Sequence, residues 1–90
     1  MKKEVIDTQG KKLKVTIRSK EKLLFSGFAQ TLSSVNERGP FDILVGHTNF
    51  ICLISGYVVI DNGLETEQKF QLDKGVAYVV ADEVDIYIGI

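Results

Sequence analysis

The segment KLKVTIRS, residues 12–19, constrains the fold more than any other. Leu13, Val15 and Ile17 point one way while Lys12, Lys14, Thr16 and Arg18 point the other. That is the two-residue period of a half-buried strand. Turn signals then return about every 8–12 residues, at SKEK, NERGP, DNG, DKG and ADE, a spacing typical of short antiparallel strands. No stretch sustains a 3.6-residue apolar period, and SKEKLLF has the makings of one helical turn at most. The pattern predicts an all-β chain: an antiparallel β-sandwich, or flattened barrel, of about 8–10 short strands.

The segments give specific expectations. LLFSGFAQTLSSV, residues 23–35, reads as extended chain, with Gly27 marking a bulge or a close backbone approach. NERGP is a turn. FDILV is a short strand with Phe41, Ile43 and Val45 on one face. FICLI, residues 50–54, is apolar on both faces, which predicts a strand covered on both sides. YVVIDNGLETEQKFQL predicts a hairpin with a tight turn at Asn62 and Gly63, and with Glu65 and Glu67 on the outer face of its second strand. DKG predicts a turn with Gly75 in the left-handed region. VAYVV and VDIYI form a last hairpin around ADE, where Asp82, Glu83 and Asp85 gather at a solvated tip. Residues 1–12 are an extension that either adds a strand or frays, and residues 13–90 form a single domain.

Ninety residues make one domain. A composition of 44 % apolar and 26 % charged residues is that of an ordinary globular chain. The longest apolar runs are too short to cross a bilayer as a helix, and the first residues lack the apolar stretch of a signal peptide. With Cys52 as the sole cysteine, no internal disulfide forms, in keeping with a reducing cytoplasm. Residues 1–22 carry eight basic and three acidic residues against three and nine in the remainder. The basic strand lacks the interleaved aromatic residues of a nucleic-acid surface. Its lysines therefore read as a solvated strand face, and nucleic acid is not an expected partner.

Catalytic and metal chemistry find little support. His47 and Cys52 are the only residues of their kinds and do not compose a paired ligand motif. Neither a nucleophile elbow nor a phosphate loop is present. The carboxylate cluster at 82–85 has no evident cleft to raise one pKa, and Cys52 in its apolar strand reads as a small hydrophobe. The expectation is a chain with no catalytic residue, cofactor or metal.

Several motifs recur in a known order. Phe25, Ser26 and Gly27 follow the first strand, and Val35 to Gly39 form a turn. Gly39, Phe41, Ile43, Leu44, Gly46 and His47 spell G-x-F-x-I-L-x-G-H, Gly56 precedes a VVI strand, and KFQLDKGVAYVVADEVDIYI closes the chain. From about Leu13 to Ile88 the sequence resembles the amino-terminal β-sandwich domain of the epsilon subunit of F-type ATP synthases. The resemblance implies a non-catalytic subunit of the central stalk that grips the gamma subunit, rests on the c-ring and couples the rotation of one to the other. It implies a peripheral location, membrane-associated only through the complex, at the cytoplasmic face of a bacterial inner membrane. It also implies a minimal form without the regulatory helical hairpin. In this reading GPFDILVGH, residues 39–47, is a turn that presents a surface to the c-ring and gamma. Arg38, Gly39, Pro40, Phe41, Asp42, Gly46 and His47 are the interface candidates. Phe41 and Ile43 anchor it, and Pro40, Asp42 and His47 are its exposed members. The imidazole of His47 either meets a partner or caps its own turn. The alternative function is a stand-alone β-sandwich interaction module without a motor role.

Overall fold

A computed structural model of the chain describes residues 10–89. Of the expected extension, residues 1–9 lie outside the described residues, and residues 10–12 enter no strand. Seven strands follow: β1 (Leu13–Arg18), β2 (Leu23–Ala29), β3 (Thr31–Asn36), β4 (Gly39–Leu44), β5 (Phe50–Ile60), β6 (Gln68–Val80) and β7 (Glu83–Ile88). They are hydrogen-bonded in the order β2-β1-β7-β6-β5-β3-β4. The pairings are antiparallel except β1 with β7, which run parallel, with Val15 opposite Val84 and Ile17 opposite Ile86.

The long β5–β6 ribbon makes two layers out of this one sheet. Residues 50–54 of β5 pair with 75–79 of β6, whose other edge meets β7. Residues 58–60 of β5 pair with 68–70 of β6 and, on the other side, with β3. Between the halves the register shifts by one residue, leaving Asp73 without an opposite number, and Gly56 sits at φ 81°. A bulge of this kind bends and twists the ribbon, and the positive φ is open to glycine at little cost. One layer is β2-β1-β7 with the later half of β6 and the earlier half of β5. The other is the remaining halves with β3 and β4.

The facing sides form one core. Leu13, Val15, Ile17, Val84, Ile86, Ala77, Val79 and Ile54 come from the first layer, and Val58, Ile60, Leu32 and Ile43 from the second. Phe25 meets Phe70 edge-on at 6.0 Å at one side of the sandwich, and Phe41 meets Phe50 at 6.2 Å at the other. These contacts give the flattened-barrel closure that the sequence predicts.

Several expectations are corrected. The strands number seven among the described residues, fewer than 8–10, because neither 54–56 nor DKG breaks a strand. Gly75 lies inside β6 without a left-handed φ. A Cβ there would come within 2.7 Å of the Tyr87 carbonyl oxygen, so this glycine serves close packing and not a turn. The 23–35 stretch is two strands in different layers, broken at Gln30. Its Gly27 makes a close approach, to the Phe25 ring at 3.1 Å from a would-be Cβ. FICLI is covered on one side only, since Ile51 and Leu53 are 61 % and 70 % exposed.

The tight turn at Asn62 and Gly63 is also different. The connection runs over residues 61–67, with Asp61 and Gly63 at positive φ. The cause is Asp61, which is buried. Its Oδ1 accepts the N–H groups of Gln30 (2.6 Å) and Thr31 (3.2 Å), and its Oδ2 accepts the Thr66 hydroxyl at 2.6 Å. That carboxylate clasps the corner where the chain passes from β2 to β3. Glu67 precedes β6, and its Oε1 accepts the Gly63 N–H.

Candidate functional site

The residues 38–47 do not form one turn. Six of them, Gly39–Leu44, are strand β4, an edge of the sheet. The 36–39 tip lies at one end of β4 and the 44–49 corner at the other, about 17 Å apart for five strand steps. Arg38, Gly39 and Pro40 therefore belong to the tip, Gly46 and His47 to the corner, and Phe41 and Asp42 to the rim between them.

The tip is built locally. The Asn36 side chain accepts the Arg38 N–H at 2.8 Å, an Asx-type turn, and Gly39 takes φ 115°. Pro40 is exposed on the edge strand, where it offers no donor to an added strand. Phe41 is half-buried against Phe50. Asp42 is exposed and accepts the Ser33 hydroxyl at 2.6 Å.

The corner is braced by the β6–β7 turn. Gly46, at φ 86°, donates its N–H to Asp82 Oδ1 at 2.7 Å. Ala81 donates to Asn49 Oδ1 at 2.9 Å, and Lys14 to the Asp82 carbonyl at 2.9 Å. Asp82 is thus a structural tie and not merely a solvated tip. His47 is exposed; its ring lies 4.9 Å from that of Phe50, and Nδ1 donates to the Thr48 carbonyl at 2.8 Å. The imidazole caps its own turn.

A second surface escaped the sequence reading. The outer side of the first layer carries Ile51, Leu53, Val76, Tyr78, Val80 and Tyr87, adjoining across β5, β6 and β7. Tyr78 and Tyr87 meet edge-on at 5.7 Å, and the Arg18 guanidinium lies 5.7 Å above the Tyr87 ring. Asp85, opposite Tyr78, is a charged member of this face; its other residues make an exposed apolar surface, which is an interaction surface by default. Alternation in AYVV and DIYI carries the signal: Ala77, Val79 and Ile86 face inward, so Tyr78 and Tyr87 face out.

Among the described residues no three His, Cys, Asp or Glu side chains gather as a metal site, and no helix is long and apolar enough to cross a membrane. Cys52 is half-buried, and desolvation pushes its thiol pKa up despite a hydrogen bond with the Asn36 side chain.

Comparison with known proteins is consistent with this picture. The family model of the ATP synthase Delta/Epsilon chain β-sandwich domain matches residues 12–88. A chain from the Euglena gracilis mitochondrial ATP synthase, in a structure of OSCP, F1 and c-ring, shares the fold with a TM-score of 0.77 at 16 % identity, over 96 % of this chain and 57 % of that one. A chain from the Tetrahymena thermophila mitochondrial ATP synthase, in a structure of central stalk and c-ring, gives 0.67 at 16 % identity, over 100 % of this chain and 67 % of that one. The present chain thus spans little more than half of the first neighbour's length. No curated protein matches it.

Proposed function

The chain belongs to the ATP synthase delta/epsilon β-sandwich family, and on that premise we propose that it is a non-catalytic subunit of the central stalk of an F-type, proton-transporting ATP synthase. It couples rotation of the gamma subunit to the c-ring. The observation that carries the reading is the family match, which runs through all seven strands. Two surfaces suit two partners. The apolar face of β5, β6 and β7 suits gamma, because a stable stalk contact needs desolvated anchors such as Tyr78 and Tyr87. The rim along β4 suits the polar loops of the c-ring: Arg38, Gly39 and Pro40 at the tip, Phe41 and Asp42 along the strand, Gly46 and His47 at the corner.

The mechanism is mechanical. A close-packed interior resists deformation, so a sandwich held by cross-layer aromatic contacts carries torque from one surface to the other. No step needs a cofactor. The location is peripheral, on the F1 side of a coupling membrane, which in a bacterium is the cytoplasmic face of the inner membrane; the solved neighbours are mitochondrial. The test is affinity purification of the tagged chain from its native membranes. Recovery with F1 subunits and c-ring is expected. Recovery of the chain alone would overturn the stalk assignment in favour of a separate interaction module.

A further inference from the structure

We propose that the free edge of β5, residues 50–54, pairs with the same edge of a second copy, making a symmetric dimer of the unassembled chain. Four strand edges border the sandwich openings. The β4 edge carries Pro40, the early half of β6 carries Lys69, and β2 closes against β6 through Phe25 and Phe70. Proline and lysine are the usual guards of an exposed edge. The 50–54 edge has no charge, proline or glycine. Its partner on one side is β6, while β3 reaches β5 only from Ser55 onward. The β3–β5 ladder has no pair beyond Val35 and Ser55, and the tip meets this edge through a side-chain hydrogen bond of Asn36 with Cys52. Its outward side chains, Ile51 and Leu53, are the most exposed of the apolar face.

The occupant follows from symmetry. A two-fold contact requires a patch complementary to itself. FICLI is nearly palindromic about Cys52: antiparallel pairing sets Cys52 opposite Cys52 of the second copy, Ile51 opposite Leu53, and Phe50 opposite Ile54. The groove beside this edge is lined by Asn36, Glu37 and Arg38 together with residues 51–53. A two-fold through Cys52 therefore sets the two grooves side by side, with the two tips next to them. The contact is small, below the roughly 1,200 Å² total of a standard stable interface, so the dimer is weak and reversible. Ile51 and Leu53 also belong to the face assigned above to gamma, so on that reading dimer and assembled stalk exclude each other.

The test is sedimentation velocity of the isolated chain from about 1 to 500 µM, a range suited to a weak contact. A doubling of mass across that range is expected. Leu53→Lys should abolish it with an unchanged circular dichroism spectrum, while Phe28→Lys, on the opposite edge strand, should leave it intact. In the dimer, diamide at alkaline pH should join the two Cys52 thiols, since directly opposed residues of antiparallel strands lie within disulfide reach. A monomer throughout, a dimer indifferent to Leu53→Lys, or a dimer without the Cys52 link would each overturn the proposal. None of these results bears on whether the chain co-purifies with F1, so the two readings fail separately.

Discussion

Replacing Asp61 with alanine should cost more than any surface change in this chain. The carboxylate accepts from the Gln30 amide, the Thr31 amide and the Thr66 hydroxyl. Thr31 is only 2 % exposed, so its N–H would lose its acceptor without gaining water, at a cost of about 1–3 kcal/mol. Gln30 and Thr66 are less enclosed and rehydrate in part; their charge-assisted bonds add about 1 kcal/mol together. Position 61 also holds φ 53°, which aspartate and asparagine tolerate and alanine resists by about 1 kcal/mol. The total is about 3–5 kcal/mol, a large part of the stability of a domain this size. Since a kilocalorie shifts the melting point of a 60–100-residue domain by about 4–8 °C, a fall of roughly 12 °C or more should appear in thermal unfolding followed by circular dichroism. Asp61→Asn keeps Oδ1 as acceptor and the backbone tolerance, so it should lose about half as much. An alanine variant within 1 kcal/mol of the parent in urea unfolding would refute the idea that this carboxylate holds the β2–β3 corner.

Other outcomes follow from the same geometry. Gly75→Ala should destabilise by about 1–3 kcal/mol in urea unfolding, because the new methyl meets the Tyr87 carbonyl at 2.7 Å and backbone must move. Asp82→Ala should cost about 1 kcal/mol and speed hydrogen exchange at the Gly46 amide, which loses its acceptor. Cys52 should react with iodoacetamide more slowly than a free thiol at neutral pH, with the midpoint of its rate profile displaced above 9.0. Because burial raises this pKa, the thiol's contribution to stability is complete below the unfolded value and is lost as pH rises through the folded one. A Cys52→Ser chain should therefore lose less stability than the parent on going from neutral to strongly alkaline pH.

Much of the fold was legible in local pattern. Leu13, Val15 and Ile17 alternate with charged residues, so their strand and its buried face follow from the pleat alone. The turns at SKEK and NERGP and the hairpin around ADE are set by residues that favour them within four positions. The motif from Gly39 to His47 was equally legible as a family resemblance, but not as a shape. Whether it bends once or runs straight between two bends depends on β3, which pairs with all six residues of β4.

What the chain order determined unaided was therefore the class of element and the inward side of most strands, because these rest on interactions a few residues long. Tertiary structure alone decided the rest. The bulge at Gly56 let FICLI and VAYVV extend the expected YVVI–KFQL hairpin into one long bent ribbon, and Asp61 reached across some thirty residues to split one expected strand into two. Parallel pairing set β1 beside β7, and the outward Ile51 and Leu53 of β5 joined the tyrosines of β6 and β7 in one face only through the β5–β6 pairing. Each depends on a partner far along the chain, and the free energy of such a contact exists only once the two layers have closed.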